Sequence, residues 1–130
     1  MIALDTNVLV RLVTRDDEEQ VERARAALEG KQLFVAKTVL LETEWVLRFS
    51  YGLPRETIRA AFENVLGLRG LLAEDRSTVL QALAACERGL DFADALHLAS
   101  SARADQFATF DRGLGRAAAE AGVGPELLLL

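Results

Sequence analysis

Short apolar runs alternate with longer amphipathic stretches along the whole chain. Residues 2–5 (Ile2-Ala-Leu-Asp5) form an apolar run closed by the polar triplet Asp5-Thr6-Asn7. This predicts a short strand and then a helix from about Val8, with Val8, Leu9 and Leu12 as its apolar stripe. Asp16-Asp17-Glu18-Glu19 reads as an acidic helix start, with Val21, Ala24 and Leu28 along one face and Gly30 as its stop. Residues 33–35 read as a second buried strand. Thr38 then caps a helix to about Tyr51, closed by Gly52, and Pro54 opens another to about Leu66. A third strand is expected at 71–73, followed by a helix capped by Asp75 that passes Cys86 and ends at Gly89. A small-residue helix runs from Asp91 to about Arg103, and a fourth strand covers 107–110 with Asp111 at its end. A last helix reaches Ala121, and 126–129 form a marginal fifth strand.

Strands alternating with helices predict an α/β domain whose mostly parallel sheet is covered on both faces. In such sheets ligands bind beyond the carboxyl ends of the strands. Asp5 and Asp111 fall at such ends.

Composition narrows the picture. The chain has 130 residues, 51% hydrophobic and 27% charged, which suits one folded domain spanning residues 1–130. No apolar run is long enough for a membrane span. Met1 leads straight into the first strand with no basic leader, so a cytoplasmic protein without a signal peptide is expected. The single cysteine, Cys86, excludes a disulfide framework and a cysteine-based zinc site. With 15 basic against 20 acidic residues the net charge is −5, so the overall field repels nucleic acid. Action on nucleic acid requires local positive charge, from bound cations or an arginine cluster. All basic residues except Lys31 and Lys37 are arginine, which suits phosphate recognition, although biased codon usage accounts for the same excess.

The candidate chemistry lies in carboxylates. Asp5 and Asp111 each read equally as helix caps. On a helical wheel of residues 39–51, Glu44 and Arg48 occupy the solvent wedge as an i,i+4 pair. Glu42 falls between Val46 and Phe49, near Trp45, on the apolar side. A carboxylate there requires a cation or a buried ion pair, unless the chain kinks and frees it. Asp94 lies in the first turn of the small-residue helix, where the helix dipole accounts for it as well as a functional role does. Asp91 is the better cap. Three or four carboxylates gathered at strand ends would raise one another's pKa, and a hard divalent cation would relieve that repulsion. Such a cation activates water and stabilises attack on phosphate.

Other chemistries fare worse. His97 is the only histidine and reads as a helix-surface residue. Ser100 and Ser101 share its helix, which does not suit a catalytic triad. Gly113-x-Gly115 opens neither a Walker loop nor a dinucleotide fingerprint, and Cys86 reads as inert core.

The quoted segments resemble the motifs of PIN-domain nucleases. Ile2-Ala-Leu-Asp5-Thr6-Asn7-Val8-Leu9 is similar to the first motif, and Glu42 within Val39-Leu-Leu-Glu42-Thr-Glu-Trp-Val-Leu to the second. Asp91-Phe-Ala-Asp94-Ala-Leu-His-Leu-Ala is similar to the third, and Thr109-Phe-Asp111-Arg112 to the fourth. In order and spacing the resemblance covers nearly the whole chain, and a compact single-domain member resembles most the VapC-type toxins of toxin–antitoxin pairs. It implies a three-layer α/β/α sandwich with a short, mostly parallel sheet of four to five strands. It further implies a Mg²⁺- or Mn²⁺-dependent endoribonuclease, with Asp5, Glu42, Asp94 and Asp111 as metal-binding catalytic acids. Asp5 and Asp94 are then the principal ligands, Asp111 is the acid that varies most in the family, and Thr6, Asn7 and Thr109 support the site. The implied partners are an RNA substrate, a small cognate antitoxin and a second copy of the chain.

Two alternatives stay open: a PIN-fold nuclease acting in RNA processing or on DNA without a toxin role, and an inactive PIN-fold binding module. The helices over 38–66 also carry Trp45, Leu47, Phe49, Leu53, Ile58 and Phe62, more large side chains than a thin sheet needs. Part of that surface is therefore expected to stay exposed for a partner.

Overall fold

Strand β1 (Ile2–Ala3) is short because Asp5, in extended conformation, hands the chain to helix α1 (Thr6–Thr14). Residues 1–130 are all described in the computed structural model, and they divide into two compact units, Met1–Arg76 and Ser77–Leu130.

In the first unit, α1 is followed by α2 (Glu18–Leu28), strand β2 (Leu33–Val35), helices α3 (Lys37–Phe49) and α4 (Arg55–Leu66), and strand β3 (Leu71–Ala73). The three strands form a parallel sheet in the order β1-β2-β3, with Ile2 opposite Leu33 and Leu33 opposite Leu71. The core here is Leu4, Leu9, Val10, Val35, Leu40, Leu47, Ile58 and Phe62, all nearly inaccessible. The predicted acidic start of α2 holds, with the Asp17 side chain accepting from the Gln20 N–H at 3.0 Å. Helix α3 begins one residue before Thr38, with Ala36 at its N-cap and no side-chain cap bond. The Lys37 N–H instead donates to Glu74 Oε1 at 2.8 Å, and Lys37 Nζ lies 3.5 Å from Asp75. The end of β3 therefore satisfies the start of α3.

Helix α5 (Arg76–Glu87) leads into the second unit, which continues with α6 (Phe92–Ser100), β4 (Gln106–Thr109), α7 (Arg112–Ala121) and β5 (Glu126–Leu129). β4 and β5 pair in parallel, with Gln106 opposite Glu126 and Thr109 opposite Leu129. The marginal fifth strand is thus a full partner. Gly124, at φ +75°, passes so close to α6 that a Cβ would stand 2.8 Å from both Cβ and O of Leu98. Only glycine fits that passage.

The α/β class and the parallel pairing expected from the alternating pattern are both observed, with seven helices. The five strands are hydrogen-bonded as a group of three and a group of two. No helix is long and apolar enough to cross a membrane.

Candidate active site

Asp5 occupies the N-cap of α1, yet its side chain makes no capping bond; only its backbone carbonyl is used, accepting from the Leu9 N–H at 3.1 Å. The capping account of Asp5 therefore fails. Its exposed carboxylate stands at the carboxyl end of β1, where parallel sheets place their ligands. Thr6, the first residue of α1, is buried, and Asn7 is exposed.

Helix α3 reverses the wheel reading. Glu42 is exposed, and Glu44 is the buried acid, at 4% exposure. The buried stripe is Leu40, Thr43, Glu44 and Leu47, while Trp45 and Phe49 are 56% and 61% exposed. The two largest apolar residues of the helix, Trp45 and Phe49, point outward rather than into the core. Glu44 and Arg48 do pair, with Nε to Oε1 at 3.0 Å, but from a buried Glu44 to a half-buried Arg48 rather than on an open surface. Burial thus gives no reason for a cation at Glu42; what remains is an exposed carboxylate without an ion pair. Of the six large residues expected to exceed the needs of the sheet, Leu47, Ile58 and Phe62 are buried, Leu53 is half-buried, and only Trp45 and Phe49 are free.

In the second unit Asp91 is the N-cap of α6 without a side-chain capping bond, and Asp94 follows in the first turn. Burial raises the pKa of the Asp94 carboxyl, and the nearby charges of Asp91 and Asp111 raise it further, with His97 opposing. Asp94 thus lies within the field of two other acids of its own unit. Asp111 is a true cap: its Oδ1 accepts from the Leu114 N–H at 3.2 Å. Thr109 Oγ1 accepts from the Asp111 N–H at 3.0 Å and so fixes the turn that presents this acid. His97 is exposed, as expected of a surface histidine, and Cys86 is half-buried.

Some of the other carboxylates are paired, and others, such as Glu18, Glu29, Glu56 and Asp105, are exposed without an ion pair. Asp16, Glu19, Glu22, Glu44, Glu63 and Asp75 all lie within ion-pair distance of an arginine or lysine. Asp5, Glu42, Asp94 and Asp111 have no such pair. Their donors are all hard oxygens, which suit Mg²⁺ or Mn²⁺ and not a thiophilic metal. The fit is one of chemistry: neither unit by itself gathers three His, Cys, Asp or Glu side chains in a group that could hold a metal ion.

Sequence reasoning missed one cluster. Asp16 accepts from Tyr51 Oη at 2.7 Å, Thr14 Oγ1 at 2.9 Å and Arg11 Nη1 at 3.2 Å, while Arg11 Nε donates to Gln20 at 2.6 Å. These bonds tie the α1–α2 turn to the end of α3. Donation from Tyr51, then from Thr14, together with the charge of Arg11, holds the Asp16 carboxyl below its ordinary range. Tyr51 lies 35 residues from Asp16, so no local pattern announces the contact.

In comparison with known families, the PIN domain matches residues 2–120. That span includes all four motifs and all but the last strand of the fold. PIN domains are generally metal-dependent nucleases. No curated protein matches the chain.

Proposed function

The chain belongs to the PIN-domain family, and from that premise we infer that it is a Mg²⁺- or Mn²⁺-dependent endoribonuclease acting as the toxin of a toxin–antitoxin pair. Asp5, Glu42, Asp94 and Asp111 are its metal-binding acids, with Asp5 and Asp94 the principal ligands. The observation that carries this reading is the PIN-domain match over residues 2–120, which spans all four motif acids, with Asp94 set beside Asp91 and Asp111. A divalent cation, when bound, activates water and offsets the charge of the phosphodiester. Asp94 suits this purpose because burial, and then the nearby charges of Asp91 and Asp111, disfavour its ionised carboxylate, which a bound cation would favour. Asp111 is held in place by Leu114 and Thr109 and presents its second oxygen from a fixed turn.

The partner half of the reading draws on an apolar groove in the first unit. Its volume is about 330 Å³, and Leu9, Leu12, Val13, Val65 and Leu68 line it beside Arg15 and Asn64. An amphipathic antitoxin helix fits such a groove, and an antitoxin arginine would substitute for the cation among the acids. Salt weakens the complex if that arginine dominates and barely affects it if apolar burial does. The free protein is a homodimer in this reading, the commonest closed assembly.

The test is brief induction followed by mapping of RNA cleavage ends, with the purified chain assayed alongside in Mg²⁺, in Mn²⁺ and in chelator. Metal-dependent internal cuts with growth arrest, relieved by a small neighbouring protein, are expected. Cleavage without arrest would assign the chain to RNA processing, and absence of cleavage with all four acids intact would make it a binding module. Sedimentation equilibrium decides the dimer.

A further inference from the structure

The groove of the first unit has one charged residue in its lining, Arg15. Asn64 is the only other polar one, and the rest are aliphatic. Leu12 and Val13 come from α1, Val65 and Leu68 from α4, and Leu33 and Leu71 from the sheet. Arg15 pairs with no carboxylate, whereas Arg11, one turn earlier, is taken by Asp16 and Gln20. In a chain of net charge −5, an unpaired cation beside an aliphatic surface is a specific combination.

The backbone of Arg15 is specific too. Its φ is 55°, a left-handed conformation that side chains rarely adopt. The neighbours enforce it: Thr14 Oγ1 donates to Asp16 Oδ1 across it at 2.9 Å, and Tyr51 Oη holds Asp16 Oδ2 at 2.7 Å. Such enforced conformations cluster where a ligand is held. Here the turn places Arg15 in the lining of the groove.

Size narrows the occupant. One turn of helix with its side chains fills roughly 400–600 Å³, more than the 330 Å³ of the groove. A helix laid over it therefore seats only side chains. A slim unbranched chain enters whole, and the volume falls at the lower end of the about 300–1,000 Å³ typical of small-molecule sites.

We propose that this groove binds a medium-length aliphatic carboxylate, with the chain on Leu12, Val13, Val65 and Leu68 and the head group on Arg15. A guanidinium meets a carboxylate through two parallel N–H bonds, and Asn64 supplies a further donor. An ammonium head is repelled there, and a hydroxyl lacks the charge. The chain and the side chains of an antitoxin helix compete for the same space, so the carboxylate would displace the antitoxin. That consequence rests on the toxin reading; the site itself does not.

The experiment titrates the free chain, without metal, RNA or partner, with octanoate, octan-1-ol and octylammonium. Methyl NMR signals of the groove leucines and valines and calorimetry follow binding. Saturable shifts confined to the groove are expected, with octanoate the tightest and about fourfold gained per methylene from hexanoate to octanoate. Arg15→Gln should weaken octanoate about 10-fold or more and leave octan-1-ol unchanged. Ala61→Phe, which fills the groove, should abolish both. Equal affinity for the three head groups, or octanoate binding unchanged in Arg15→Gln, overturns the proposal. So does the absence of shifts in the groove, whatever a nuclease assay shows. A chain that binds octanoate in this way and cleaves no RNA keeps the site and loses the nuclease reading.

Discussion

Asp16 and Asp94 are both partly accessible carboxylates near helix starts, yet their surroundings push them in opposite directions. Asp16 is met by Tyr51, Thr14 and Arg11, which favour its charge. Asp94 is met by burial and by Asp91 and Asp111, which oppose it. The first arrangement closes on itself and fastens two helices to a third. The second stays electrostatically incomplete, and an incomplete set of acids is what a cation can complete. Whether an acid is structural or functional is thus told by what it lacks rather than by its position in a helix.

The largest expected difference between the two is in activity. Asp94→Asn, like Asp5→Asn, should lower metal-dependent RNA cleavage by at least about 100-fold, while Asp16→Asn should leave the activity per folded molecule near wild type. Initial rates at saturating Mn²⁺ check this, and full activity in both Asp5→Asn and Asp94→Asn would remove them from the site.

Next comes stability, where the two glutamates of α3 repeat the contrast within one helix. Glu44→Ala leaves the half-buried Arg48 without its carboxylate and should cost about 2 kcal/mol, whereas Glu42→Ala on the exposed face should stay within about 0.5 kcal/mol. Urea unfolding measures both, and equal costs would break the assignment of faces. Between them, the Thr43 hydroxyl is buried without a hydrogen-bond partner. Thr43→Val should therefore stabilise the fold by about 1 kcal/mol.

The smallest effects are in pH dependence, and their signs differ. The folded pKa of Asp94 is raised, so its contribution to metal-free stability is lost as pH rises from the ordinary aspartate range through the folded value. Asp94→Asn should flatten that fall and raise Tm in chelator at neutral pH. The folded pKa of Asp16 is lowered, so its contribution is present above the ordinary range and is lost as pH falls through the folded value. Tyr51→Phe should move acid unfolding to slightly higher pH. Calorimetry across the acid range, in chelator, distinguishes the two slopes.

Much of this was legible in the chain itself. The second and third strands fall at the expected residues, because each is a short apolar run set off by polar residues and glycine. The first and last helices stop at Arg15 and Gly122, both in the left-handed conformation, although only the glycine announces its stop in sequence. The orientation of α3 was not legible. That helix carries apolar residues on both sides, so periodicity alone leaves its inward face undetermined. Nor could spacing tell that Asp5 leaves its helix uncapped while Asp111 caps its own, since both stand between a strand and a helix. Capping is settled by a side-chain torsion, which sequence does not record.

The register of the strands has a consequence for how the chain folds. In β4–α7–β5 each residue meets its partner 20 positions later, Gln106 against Glu126, whereas Leu33 must find Leu71 across 38. The entropic difference between closing loops of those lengths is only about 0.6 kcal/mol, too little to matter to the finished protein. It matters to order of assembly, because a shorter search with a single intervening helix closes sooner. The last strand pair is the natural nucleus of its unit, whereas Gly124 passes against α6 outside that pair: substitution there should hasten unfolding more than it slows folding.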